Sequence, residues 1–402
     1  MQNKMTNLPQ SWEVKKLEEI ANIKGGKRLP KGKNLLDNNT KFAYIRVADF
    51  QDNGTINLQN IKFINENTYN VLKNYKIYDD NLYISIAGTI GKSGIIPKEL
   101  NGAILTENAV KLEYIQNNIS NKFMYFFTLS NIFKTQIQTS TKIVAQPKLA
   151  ITRLKQIQIP LPPLKEQERI VGILDESFAK IDESIKILEQ DLLNLDELMQ
   201  SALQKAFNPL KDNAKENYKL PQSWEWKSLE EISENISAGG DKPKNCTESK
   251  TAKNQIPVYA NGVNNNGLVG YTDKATIIKP SLTISARGTI GFVCIRKEPY
   301  FPIVRLISLI PCENILCLHY LYFCLNFFIA KGEGSSIPQL TIPKFKSLQI
   351  PLPPLKEQEQ IAEHLDFVFE KAKALKELYT KELKDYEELK QSLLNKAFKG
   401  EL

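Results

Sequence analysis

The sequence predicts an α+β protein, with two globular domains of curved sheet plus helices and two long helices between and after them. Three observations carry that prediction. The chain spells "IPLPPLKEQE" twice, at Ile159–Glu168 and Ile350–Glu359. Each copy opens a long run with apolar residues in steps of three and four, the mark of a heptad helix. Each copy also follows a stretch mixing short β-rich segments with glycine turns. The 402 residues suffice for two hydrophobic cores.

Other stretches repeat as well. "LPQSWEVKKLEEI" (Leu8–Ile20) returns as "LPQSWEWKSLEEI" (Leu220–Ile232), and "ISIAGTIG" (Ile84–Gly91) as "ISARGTIG" (Ile284–Gly291). "LQKAF" (Leu203–Phe207) returns as "LNKAF" (Leu394–Phe398). The chain is an internal duplication of about two hundred residues per copy. The spacing between matching stretches shrinks along each copy and holds constant from the proline motif onward. Ends are kept, and middles differ in length. This divides the chain into a first globular domain at 1–158, a central helix segment at 159–210, a second domain at 211–348 and a C-terminal helix segment at 349–402.

In the central segment, Val171, Leu174, Phe178, Ile181, Ile185, Leu188, Leu192, Leu195, Met199, Ala202 and Ala206 form the seam. In the last segment the seam runs through Leu365, Phe369, Ala372, Leu375, Tyr379, Leu383, Tyr386, Leu389, Leu393 and Ala397. The prolines and early glutamates of "PPLKEQE" suit a helix start. Asn208-Pro209 and Gly400 suit helix stops. Two such seams separated by a globular domain pack most simply as an antiparallel coiled coil.

Composition narrows the function. The net charge is +8, and it is unevenly placed: both globular segments are basic and both helices mildly acidic. Basic domains at a fixed separation fit two phosphate-lined half-sites. The opening residues lack the apolar run of a signal peptide. The apolar stretch Ile315–Ala330 is short for a membrane span and reads as a buried helix. The five cysteines all lie in the second half. Cys312, Cys317, His319 and Cys324 match no common zinc spacing, and the cysteines read as core thiols of a reducing, cytoplasmic protein.

No catalytic constellation is visible. His319 and His364 are the two histidines, and neither sits near a nucleophile pattern. "TIGKS" (Thr89–Ser93) resembles the tail of a phosphate-binding loop, but Ile86 stands where the first glycine belongs. It reads as a hairpin turn, with Thr89 and Lys92, and in the second copy Arg287 and Thr289, projecting from it. This turn is either a purely structural hairpin or a DNA-facing loop. The glycine- and lysine-rich "KGGKRLPKGK" is a candidate phosphate clamp through Lys27, Arg28, Lys31 and Lys33. Its counterpart carries Lys242 and Lys244. "YIRVADF" and "PVYANGVNNNG" read as core strands leading to polar loops. Arg46 there is a candidate guanine reader and Asn261 a candidate adenine reader, with Tyr259 beside it. Either side chain has the alternative of a partner inside its own domain.

Two copies of "IPLPPLKEQE", each after a variable basic domain and before a heptad helix ending in "KAF", resemble the specificity subunit of type I restriction–modification systems. The resemblance spans the whole chain. It implies two target-recognition domains in inverted orientation around a helical spacer, each reading half of a bipartite site in double-stranded DNA. It further implies a non-catalytic subunit that recruits two adenine-N6 methyltransferase subunits and ATP-driven restriction–translocation subunits. S-adenosylmethionine, ATP and magnesium then belong to those partners, and no cofactor, metal or membrane contact to this chain. Because the copies differ in length and loops, an asymmetric target is expected. Two other readings stand beside it: the specificity partner of a type IIB-like nuclease–methylase, and a coiled-coil scaffold that binds no DNA.

Overall fold

The structure is a computed structural model that describes residues 8–140, 148–208, 220–329, 332–333 and 340–402. Pro209 and the junction at 210/211 lie outside the described residues. The chain forms two compact units, one of residues 1–188 with 381–402 and the other of residues 189–380. Each unit therefore takes one globular domain and parts of both long helices.

The proline motif opens on a strand, not on the helix. Gln158–Leu161 pairs antiparallel with Glu13–Lys16, and Gln349–Leu352 pairs likewise with Glu225–Ser228. Thus the two stretches repeated at the ends of each domain are strand partners. The helices start three residues later, spanning Leu164–Phe207 and Leu355–Ala397. Glu166 N–H donates to the Pro163 carbonyl and Glu357 N–H to that of Pro354, which closes each first turn.

The domains share a sheet topology. In the first, Ala21–Gly25, Ala109–Tyr114, Leu82–Ser85 and Ser93–Ile95 form a four-stranded antiparallel sheet in that order. In the second, Ser233–Ala238, Ile307–Pro311, Ser281–Ile284 and Val293–Arg296 do the same. A smaller sheet joins each, built on Ala43–Ile45 in one domain and Ile256–Tyr259 in the other.

A late helix covers each main sheet. Sequence periodicity suggests one helix around Asn121–Ile137, but the structure breaks it at Ser130 into Asn121–Leu129 and Asn131–Ser140. The Ser130 hydroxyl donates to the Phe127 carbonyl and accepts from Phe133 N–H, ending one helix and capping the next. The counterpart Leu318–Phe328 is continuous.

Within the first unit, Phe123 and Phe127 pack on Phe398, the residue after the C-terminal helix, with ring centroids 5.1 and 5.5 Å apart. Ile170 and Leu174 of the central helix complete that core. Within the second unit, Phe207 packs on Tyr320, and Leu203, Ala362 and Leu365 join the same core. The beginning of one long helix thus meets the end of the other in each unit, which is the antiparallel arrangement. Leu174, Ile181, Leu188 and Leu195 are buried as the heptads require. The C-terminal seam departs from expectation, because Leu375 and Leu389 are exposed. Beside them Lys376 pairs with Asp196 and Lys390 with Asp182, 2.5 Å for the latter. The Lys390 ammonium also lies over the ring of Phe178, a seam residue of the central helix, 5.9 Å from its centroid.

Candidate nucleic-acid interface

In the first domain, four separated stretches meet at one edge. Leaving the main sheet, Gly26 passes so close to the turn after Ala103–Leu105 that an added Cβ would lie 2.1 Å from the Thr106 carbonyl oxygen. Gly26 N–H donates to the Ala109 carbonyl (3.0 Å) and Lys27 N–H to that of Leu105 (2.9 Å). Thr106 N–H donates to Ile45, which brings in the Arg46 loop, and Ile86 N–H donates to Asn108, which brings in the hairpin.

On this frame Lys27, Lys31 and Lys33 are exposed. Among the described residues Lys31 and Lys33 have no ion pair. Arg28 is also exposed, but its Nε donates to Glu107 Oε1 at 2.7 Å. Burial acts to raise the Glu107 carboxyl, yet hydrogen bonds from Arg28, its own backbone and Thr106 outweigh it and hold the group below its ordinary value. Thr89 sits exposed at the hairpin tip, beside Gly88 at φ 76°. Lys92 is turned toward Asp52 at 2.7 Å. Ser93, the last residue of the apparent phosphate-loop tail, is buried against the Thr128 hydroxyl at 2.6 Å, so the hairpin reading stands.

Arg46 is held inside its own domain. Its guanidinium grips the buried Asp49 through two nitrogens, at 2.5 and 3.1 Å, and donates to the Asn60 carbonyl at 3.0 Å. That geometry makes it a loop-holding residue.

The second domain repeats the convergence with different chemistry. Gly239 passes the Pro302 carbonyl carbon where a Cβ would stand 2.5 Å away. Val304 N–H donates to Gly240 and Arg305 N–H to Gly239, both at 2.8 Å. Asn261 ties two neighbouring loops together, donating to the Val304 carbonyl (2.6 Å) and accepting from Ala286 N–H (2.8 Å). It does with a side chain what Asn108 does with a backbone carbonyl in the first domain. Both ends of its amide are therefore engaged, as is the Arg46 guanidinium.

Tyr259 is stacked under the buried Arg296 guanidinium, 3.5 Å from ring centroid to Cζ. Thr289 keeps its hydroxyl oxygen buried, with no hydrogen-bond partner among the described residues. Lys242 and Lys244 are exposed and without an ion pair among the described residues, and Arg287 is exposed at the hairpin tip. The candidates thus divide into exposed side chains on the glycine loops and hairpin tips, cationic apart from Thr89, and inward ones, of which Arg46 and Asn261 hold the loops.

Sequence reading missed the turn at Val304–Arg305, because neither glycine nor asparagine marks its left-handed backbone. It also missed the buried glutamine of the proline motif. Gln167 accepts from Ser120 N–H and donates to the carbonyls of Asn118 and Pro162. Gln358 accepts from Cys317 N–H and donates to Ile315 and Pro353.

A family model described as the type I restriction modification DNA specificity domain matches residues 9–192 and again 221–384. The chain belongs to that family. It is 29% identical over 357 residues to a type I specificity subunit assigned in Mycoplasma pneumoniae, covering 87% of each chain. Its fold is that of a chain from a structure of type I restriction–modification complex assembly and conformational transition, with TM-score 0.80, 20% identity and 98% and 99% of the two chains covered. The HsdS subunit of Thermoanaerobacter tengcongensis is also similar, with TM-score 0.62, 21% identity and full coverage of both. Two target-recognition domains, one per family match, are what a specificity subunit contains. Among the described residues no helix is long and apolar enough to cross a membrane, and no group of three His, Cys, Asp or Glu side chains is placed to hold a metal ion. Cys324 is buried in the second core, which pushes its thiol up.

Proposed function

We propose that this specificity subunit reads an asymmetric bipartite site in double-stranded DNA, one half per domain, and brings adenine methyltransferase and restriction–translocation subunits to it in the cytoplasm. The convergence of four stretches at one edge of each domain, with exposed lysines on the glycine loops, is the observation that carries the reading. Lysines on such loops suit phosphates, which position a protein on DNA, while hairpin and turn residues suit base edges. The loops differ between domains, so the half-sites differ.

The long helices are the natural docking surface for partner subunits. Phe367 and Leu378 lie about three turns apart on one helix face and are 62% and 55% exposed. Such side chains favour burial against another protein. Methyl transfer, ATP hydrolysis and strand cleavage, with their S-adenosylmethionine, ATP and magnesium, fall to the partners. The chain itself is non-catalytic in this reading.

Methylome sequencing of a host with and without the gene tests the proposal. Adenine methylation at one bipartite motif is expected to depend on it. Methyl transfer by the purified single chain would overturn the assignment of roles.

A further inference from the structure

We propose that Arg305 reads a guanine in the half-site of the second domain, an inference that rests on the function proposed above. Val304 and Arg305 have φ of 53° and 60°, a left-handed region that β-branched and long side chains rarely enter. The first domain makes the corresponding crossing, glycine against turn, with no positive φ at residues 105–108. The fold therefore does not require the strain. It is held in place by Val304 N–H on Gly240, Arg305 N–H on Gly239, Leu306 N–H on Ile303 and the Asn261 amide on the Val304 carbonyl. Strain sustained by so many bonds, at the point where the loops meet, marks a site shaped for something other than folding.

What the turn accomplishes is to present Arg305. Its side chain is exposed and has no hydrogen bond or ion pair among the described residues. The first domain's turn carries Glu107 instead, engaged by Arg28. An arginine on a rigid turn differs from lysines on a glycine loop. Its base of attachment is fixed, and its fork of parallel N–H groups matches guanine O6 and N7 in the major groove. The flexible lysines suit phosphates, for which no such fork is needed.

The test uses the full chain with its methyltransferase, as wild type, Arg305→Asn and Arg305→Lys. Asparagine accepts left-handed backbone, so the turn persists without the guanidinium. Lysine keeps the charge and loses the fork. Methylation is mapped, and binding is measured on duplexes altered at each position of the second half-site. At one G·C pair, Arg305→Asn is expected to lose about 10- to 100-fold in discrimination, with Arg305→Lys in between. The other half-site, unchanged in both variants, reports that the protein is folded. An equal loss of affinity for every sequence, with the motif intact, would make Arg305 a phosphate-binding residue and overturn the inference. An unchanged motif with unchanged affinity would overturn it too. Absence of bipartite methylation in the wild type would instead defeat the function itself.

Discussion

Gln167 and Gln358 explain why the chain writes the same ten residues twice. Each is 1% exposed or less and spends its amide on one backbone N–H and two carbonyls. Those groups belong to the entry of the helix that covers the sheet and to the proline turn. The repeat was legible in the sequence, but the distant partners were not: Asn118, Ser120, Ile315 and Cys317 lie more than forty residues away in stretches of unrelated sequence, while Pro162 and Pro353 belong to the motif itself. Truncating Gln358 to alanine leaves Cys317 N–H and the carbonyls of Ile315 and Pro353 without partners. A buried orphan costs about 1–3 kcal/mol, which lowers the melting temperature by about 2–4 °C per kcal/mol in a unit of this size. Calorimetry of Gln358→Ala is expected to show that loss, and a melting point unchanged from wild type would contradict it.

The carboxyls of the first domain give a pH dependence with a definite sign. Burial acts to raise Glu113, yet Lys111 and Lys24 more than offset it and hold the group below its ordinary value, as Arg28 helps do for Glu107. The folded state thus binds these protons more weakly than the unfolded chain. The stabilisation is complete above the ordinary value of 4.5 and is lost as pH falls through the lowered folded value. Melting temperature is expected to fall below that pH, and Glu113→Gln to make the fall shallower. An equally steep fall in the variant would assign it to other groups.

At the scale of elements, the long helices were the most legible part of the sequence, and their failures are instructive. Heptad spacing located Leu174, Ile181, Leu188 and Leu195 in the seam. It could not foresee that Leu375 and Leu389 would be left out, because a straight helix drifts relative to a strict heptad and lysine–aspartate pairs fill the gap. The break at Ser130 escaped for a different reason. One serine hydroxyl decides it, against an apolar periodicity that runs straight through. In the loops, composition found the lysines but not which side chains fold inward: Lys92 and Asn261 are held by partners far off in the chain, and Arg46 by Asp49, three residues on, and the Asn60 carbonyl. Replacing Lys31, Lys33, Lys242 and Lys244 by glutamine is expected to weaken binding to all DNA. It should also flatten the salt dependence, with the log–log slope reduced by about 0.9 for each phosphate no longer neutralised. A changed methylation motif would show that these loops read bases.

For the molecule as a whole, the duplication makes each recognition domain exchangeable, and the packing determines where to cut. Constant ends and variable middles suggest replacing residues 21–158 with those of a relative. The core of the first unit advises a shorter graft. Phe123 and Phe127 pack on Phe398, and Ser120 N–H is bonded to Gln167, so the helix Asn121–Leu129 belongs energetically to the constant segments. The main-sheet strands Ala21–Gly25 and Ala109–Tyr114 pair with each other and travel together. A graft of residues 21–116 therefore carries the four converging loops and leaves the aromatic packing native. It is expected to replace the first half of the methylation motif, keep the second half and melt near the parent. The longer graft is expected to change the motif in the same way but to lose stability whenever the donor lacks matching aromatics, by about 3–5 kcal/mol for a buried phenylalanine reduced to alanine. Methylation mapping and thermal melts of both chimaeras separate the two effects. A short graft that altered both halves of the motif would mean that the domains do not read DNA independently.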